Sequence, residues 1–263
     1  MHYKIHYSCL SHIGNVRSIN QDNFICDGRY MGIDTTPIEF PLCGTKASKD
    51  ISVFGIFDGM GGEECGEIAS YIASKNASEI KIGKEAIADL SQFCHKANHD
   101  ICDYAALNNV SAMGTTAAML VFADKEIALC NIGDSKIFRL YNGLLEQISK
   151  DHVEVSVFGL KPPLLQNLGI PPNELVIEPY LARGTYNDGD IYLICSDGLT
   201  DMVAIDEITE VLISKSIEES VSLLLDKVLA NGGKDNTTII LCKIERQSRW
   251  FFKRKRHTKR KEV

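Results

Sequence analysis

The chain is 263 residues long and nowhere holds the run of about 18 consecutive apolar residues that a membrane-spanning helix needs. Its opening, Met1-His-Tyr-Lys-Ile-His-Tyr7, alternates like a first strand and lacks the apolar centre of a secretion signal, so a cytoplasmic location is expected. No two of the nine cysteines are spaced as Cys-x-x-Cys, which counts against a zinc site or a redox dithiol. They are odd in number and scattered through apolar runs (Cys9, Cys26, Cys130, Cys195, Cys242), the pattern of buried reduced thiols. A Gly-x-Ser-x-Gly elbow, a phosphate-binding Gly-rich loop and a His-Glu-x-x-His helix are all missing. Serine-nucleophile, nucleotide-binding and zinc-protease readings weaken accordingly. No Gly/Ser/Pro-rich linker divides the chain, which favours one domain, residues 1–245, with a distinct tail from 246 to 263.

Charge separates these two parts. The net charge of −7 includes nine Lys/Arg and one Glu from Arg246 onward, so the body holds 19 basic and 34 acidic residues, a net of −15. Such a body is a poor surface for nucleic acid, and a two-metal nuclease loses weight for that reason. The tail, Arg249-Trp-Phe-Phe-Lys-Arg-Lys-Arg256 and beyond, has the composition to press aromatics and cations on an anionic membrane. A solvated, disordered extension is the favoured reading.

Hydrophobic periodicity gives a coarse map. Strands are expected at 3–9, 23–27, 51–57, 116–122, 127–132, 136–141, 144–148, 190–196 and 237–244, with Asn142-Gly143 as a hairpin turn. Helical spacing covers about 63–80, 84–107, 206–214 and 217–230, with Glu63 and Glu64 suited to a helix start. Residues 153–180 carry five of the seven prolines and read as irregular. Strands at both ends and in the middle, with helices in two blocks, indicate an α+β fold of antiparallel sheets covered by helices.

What the chain does have is aspartate at strand ends. Phe54-Gly-Ile-Phe-Asp58-Gly59 and Tyr192-Leu-Ile-Cys-Ser-Asp197-Gly198 deliver a carboxylate at a strand's C-terminal end, and Asp235-Asn236-Thr-Thr-Ile-Ile at an N-terminal end. Antiparallel pairing sets the C-end of one strand beside the N-end of its neighbour, so these residues can meet at one sheet edge. Clustered carboxylates repel one another until a cation removes the conflict, and an all-oxygen cluster suits Mg²⁺ or Mn²⁺. The chain therefore reads as a metal-dependent hydrolase. Each string alone has a plain structural role as a turn or cap, including Asn131-Ile-Gly-Asp134-Ser135 and Lys150-Asp-His152. Arg17, in the polar loop Gly14-Asn-Val-Arg-Ser-Ile-Asn-Gln-Asp22, has the fork to hold a phosphate or simply faces solvent.

Taken in order, Gly14…Arg17…Asn20-Gln21-Asp22, Asp58-Gly-Met-Gly-Gly62, Gly114-Thr-Thr-Ala117, Asn131-Ile-Gly-Asp-Ser135, Asp151-His152, Ser196-Asp-Gly-Leu199 and Asp235-Asn-Thr237 resemble the metal-dependent serine/threonine protein phosphatases of type 2C, in their bacterial branch. The resemblance implies a four-layer α-β-β-α sandwich of two antiparallel sheets and a site with two Mn²⁺ or Mg²⁺ ions. It implies that Asp58 bridges both ions and Gly59 offers its carbonyl, that Asp197 and Asp235 complete one ion, and that Asp22 holds water on the other. Asp134 with Asp197 would serve a third, weaker ion, and Arg17 would grip the phosphate. The implied reaction is in-line attack of a metal-bridging hydroxide on phosphoserine or phosphothreonine, in a monomer acting on phosphorylated proteins made by a serine/threonine kinase. Met60 and His12 depart from the usual pattern, and the stretch between Asp151 and Asp190 is short for the region that faces substrate. The rival class is a phosphatase fold kept for binding without turnover. Such chains lose metal carboxylates, and this one retains Asp58, Asp197 and Asp235.

Overall fold

A computed structural model describes residues 2–33, 40–60, 65–155 and 162–247. The chain runs β1 (Tyr3–His12), β2 (Asp22–Cys26), β3 (Leu42–Ala47), β4 (Ser52–Met60), α1 (Gly66–Ser78), α2 (Ala86–Asn108) and β5 (Gly114–Thr115). Four meandering strands follow: β6 (Ala117–Ala123), β7 (Glu126–Ile132), β8 (Lys136–Tyr141) and β9 (Leu144–Gln147). The last third holds β10 (Tyr180–Thr185), β11 (Ile191–Cys195), α3 (Asp197–Thr200), α4 (Ile205–Ser214), α5 (Ile217–Ala230) and β12 (Thr237–Arg246).

The strands form two antiparallel six-stranded sheets, one ordered β3-β1-β12-β11-β8-β9 and the other β10-β7-β6-β4-β2 with β5 added to β4. Three apolar cores fix the layers. Phe54, Phe122, Tyr192 and Ile240 fill the space between the sheets. Leu193 and Leu241 pack on Val221 and Leu224 of α5, and Phe57 and Met119 pack on Ala73 of α1 and Phe93 of α2. The result is the expected helix–sheet–sheet–helix sandwich, because every central strand is apolar on both faces and must be covered twice.

Three strands escape the sequence pattern: the two-residue β5, and β3 and β10. The last two are half-exposed edge strands, each carrying a glycine with a cation (Gly44 and Lys46, Gly184 and Arg183). Edge positions tolerate the low strand propensity that hides them from a periodicity search. The Asn142-Gly143 turn is as expected, both residues having positive φ. Helix α5 begins on a capping box between Ser216 and Glu219, which sharpens its start at Ile217.

Residues 162–179 form no strand or helix and are tied down by isolated bridges such as Thr115 to Leu168. The expected helix start at Glu63 and Glu64 lies outside the described residues, as does the basic tail beyond Gln247. No described helix is long and apolar enough to cross a membrane.

Candidate active site

Four strand ends meet at one end of the sandwich. From one sheet, β2 starts on Asp22 and β4 ends just past Asp58, and these two aspartates face each other directly in the antiparallel register. From the other sheet, β11 ends two residues before Asp197 and β12 starts two residues after Asp235, with Cys195 opposite Ile239. The strand-polarity expectation holds with one refinement: the carboxylates come from the edges of two stacked sheets, not one.

The two sheets are stitched together here. Asp22 is buried, at 1% exposure, and its Oδ2 accepts from Ser196 Oγ at 2.8 Å, just past the end of β11, and from Thr238 Oγ1 at 2.7 Å on β12, both strands of the opposite sheet. Asn236 accepts the Gln21 backbone N–H at 2.8 Å and donates to the carbonyls of Ile13 at 2.9 Å and Ile19 at 3.0 Å. That clamp fixes the polar loop carrying Arg17. Gly14 allows the loop to pass: its φ is +83°, and a Cβ there would lie 2.4 Å from the Asp235 carbonyl oxygen.

Asp58 is held by its backbone. Its N–H donates to Thr116 Oγ1 at 3.0 Å, and its carbonyl accepts from Thr116 N–H at 2.9 Å and Thr115 Oγ1 at 3.0 Å. Thr116 in turn shares a 2.7 Å hydrogen bond with Ser135, next to Asp134. Gly59 has no unusual φ. What it requires is close approach, since a Cβ would sit 2.2 Å from the Gly66 carbonyl oxygen and 2.5 Å from that of Gln21.

Asp58, Gly59, Asp134, Asp197, Asp235 and Arg17 line one cavity of about 290 Å³, together with Gln21, Met60 and Leu164. Asp22 lies behind them, in the layer between the sheets. Arg17 is the single cation among the described lining residues, and its Nη2 donates to Asp235 Oδ2 at 2.7 Å. The electrostatic consequence is large. Burial, followed by the charges of Asp22, Asp197, Asp134 and Asp235, drives the Asp58 carboxyl well above the usual carboxylate range. Burial pushes Asp22 up to about 7 against the pull of its two hydroxyl donors, with Asp197 and Asp235 pushing further.

The donor set can be tested against a divalent ion. Among the described residues it is oxygen-only and in anionic excess, and the buried Asp22 Oδ1 has no hydrogen-bond partner. Such a set suits a hard cation such as Mg²⁺ or Mn²⁺. As they stand, no three His, Cys, Asp or Glu side chains among the described residues are drawn tightly enough together to hold one ion by themselves.

Asp151 and His152 take other parts. Asp151 pairs with Lys136 and accepts from Gln147 Nε2 at 2.6 Å. His152 donates its backbone N–H to the Gly133 carbonyl at 2.9 Å, and burial lowers the pKa of its half-buried ring. Sequence reasoning did not assign Ser196, Thr238, Asn236, Thr116 or Ser135 any role. The available signal was proximity: each lies within three residues of an aspartate or glycine in one of the strings already singled out, and short hydroxyls and amides are what can hold a carboxylate in place.

The sequence model of the family Protein phosphatase 2C matches residues 43–230. Among curated proteins, the chain is 30% identical over 225 residues to the serine/threonine protein phosphatase PstP of Mycobacterium tuberculosis, covering 76% of this chain and 43% of that one. The chain thus spans less than half the length of that relative. It is 28% identical over 251 residues to the serine/threonine phosphatase stp of Listeria monocytogenes, covering 87% of this chain and 91% of that one. Among solved structures, the PstP catalytic domain in complex with two manganese ions superposes with a TM-score of 0.76 at 27% identity, covering 93% of this chain and all of that one.

Proposed function

Because this chain belongs to the protein phosphatase 2C family, we propose that it is a metal-dependent phosphatase that hydrolyses phosphoserine and phosphothreonine in proteins. The observation that carries this reading is the crowding of Asp58, Asp134, Asp197 and Asp235 around one cavity, with Arg17 beside them and, behind them, a partnerless buried oxygen on Asp22.

In this reading Asp58, the Gly59 carbonyl, Asp197 and Asp235 hold two Mn²⁺ or Mg²⁺ ions. Asp22 would steady water at one of them, and Asp134 with Asp197 would hold a third, weaker ion. The manganese-bound PstP domain supports Mn²⁺ in the first instance. Bound cations of this kind acidify water and stabilise charge that develops on phosphoryl oxygens. The protein residues do the rest. Arg17 leaves Asp235, once that carboxylate has another counter-charge, and grips the phosphate with its planar fork. Ser196 and Thr238 hold Asp22 in one orientation, and the Thr115–Thr116 turn holds Asp58. Water attacks phosphorus in line, and the seryl or threonyl oxygen leaves without a phosphoenzyme. Met60 has no proton to give, so the leaving oxygen takes its proton from water.

The reading extends to a cytoplasmic monomer that opposes a serine/threonine kinase. Phosphopeptides bearing phosphoserine, phosphothreonine or phosphotyrosine, assayed with Mn²⁺, with Mg²⁺ and with chelator, test it. Cation-dependent release from the first two supports the assignment, and no cation-dependent release from any of them overturns it.

A further inference from the structure

A second groove, of about 560 Å³, adjoins the catalytic cavity. Its walls are Ala105 and Ala106 near the end of α2, Met113 just before β5, and Ile170 with Pro171 in the long loop. Met60 lines both spaces, and its strand partner Gly114 lines the second, so the two share a border at Met60. The volume is in the range of sites that bury a ligand. The lining is apolar except for a few small polar groups and one ionisable carboxylate, Glu174. Burial, then the charges of Asp103 and Glu174, raises the Cys102 thiol at the same wall, and of these two carboxylates Glu174 lines the groove. No Lys or Arg is among its described lining residues.

We infer that this groove receives the stretch of the phosphoprotein that flanks the phosphorylated residue, holding an apolar side chain against Ala106 and Ile170 and a Lys or Arg beside Glu174. The inference rests on the phosphatase reading above. Continuity with the cavity through Met60 puts whatever fills the groove next to the phosphorylated residue. An apolar wall with an acidic end, and no basic residue in the described lining, selects a basic, apolar peptide over an acidic one.

Matched phosphothreonine peptides test this, with a Leu–Lys pair or a Ser–Glu pair moved through each flanking position and p-nitrophenyl phosphate as a substrate too small to reach the groove. The wild type should favour the best Leu–Lys peptide by about tenfold in kcat/KM, the scale of burying one apolar side chain. Ala112→Trp, which crowds the groove, and Glu174→Lys should each remove that preference while p-nitrophenyl phosphate turnover stays within about twofold. Preference retained in both variants, or equal loss on peptide and small substrate, overturns the role of the groove. So does a variant that speeds peptide turnover, which would assign the groove to the chain's own end, or one that changes the sedimentation of the protein, which would assign it to a second copy. If the wild type hydrolyses neither substrate with added cation, the phosphatase reading itself fails, and the groove's role falls with it.

Discussion

The two ends of β11 carry two aspartates that the fold treats in opposite ways. Asp190, just before the strand, is buried, and its Oδ2 receives Arg139 Nη2 at 2.6 Å, Arg139 Nε at 3.1 Å and the Asn187 N–H at 2.8 Å. Arg139 also lies over the ring of Tyr192, 5.8 Å from its centroid. Asp197, just after the strand, faces a cavity shared with Asp58, Asp134 and Asp235, where Arg17 is the one cation in the described lining. At one end the charge is neutralised within the chain. At the other, four carboxylates share a cavity with one cation in the described lining, and like charges at close range raise one another's pKa. On the phosphatase reading proposed above, the difference separates a carboxylate kept for architecture from carboxylates kept for a ligand.

Breaking each end should give opposite phenotypes. At the cavity end, Asp58→Asn should lower turnover by at least about 10²-fold, the scale of losing one key electrostatic stabiliser. The cation-free variant should melt no lower than wild type, since a repelled charge has been removed. Steady-state kinetics beside thermal unfolding check both halves, and a fully active Asp58→Asn would contradict the assignment. Arg17→Lys should keep charge but lose the planar fork, and about tenfold in kcat/KM is expected for phosphopeptides, a value below that for Asp58.

At the far end, Asp190→Asn should destabilise by about 2–3 kcal/mol, less than the loss for a fully buried ion pair because Arg139 is 23% exposed. Activity per folded molecule should be unchanged. Chemical denaturation with a parallel activity titration decides this, and a loss of activity without a loss of stability would collapse the distinction drawn between the two ends.

The cavity half of this contrast is legible in the amino-acid sequence, and the reason is physical. Central strands such as β4, β11 and β12 are apolar through their middles, so their ends stand out wherever a polar residue appears; strand polarity then brings Asp197 and Asp235 together, and the stacking of the sheets adds Asp58. Edge strands β3 and β10 mix polar and small residues and give no such signal. The stacking of the two sheets is visible in the sequence only through family resemblance, because nothing local says which strand of one sheet will lie over which of the other. For the same reason the bonds from Ser196 and Thr238 to Asp22 leave no local trace: they cross 174 and 216 residues of chain. The Asp190–Arg139 pair is equally hidden, being two ordinary residues whose meeting depends on the β8–β11 register.

The smallest effect sharpens the comparison most. Asp22 has its pKa raised to about 7 in the folded protein, against 3.8 for an unperturbed aspartate. Below 3.8 the group is protonated folded or unfolded, and above about 7 it is ionised in both, so it contributes a pH slope only between these values. Within that window the folded state holds the proton more often than the unfolded state, and stability must fall as pH rises. The cation-free protein should therefore gain stability as pH is lowered from about 7 toward 5, by at most about 1.4 kcal/mol per pH unit for each such group. Saturating Mn²⁺ should remove this slope, since a bound cation favours the ionised carboxylates over their protonated forms. Asp22→Asn should lessen it without Mn²⁺, the raised Asp58 carboxyl keeping its own share, whereas Asp190→Asn should leave it in place at a lower overall stability. Denaturant midpoints at several pH values, with and without Mn²⁺, measure all of these. A cation-free wild type whose stability climbs steadily from about pH 5 to 7 would mean that the carboxylates at the cavity end are compensated within the chain after all, as Asp190 is.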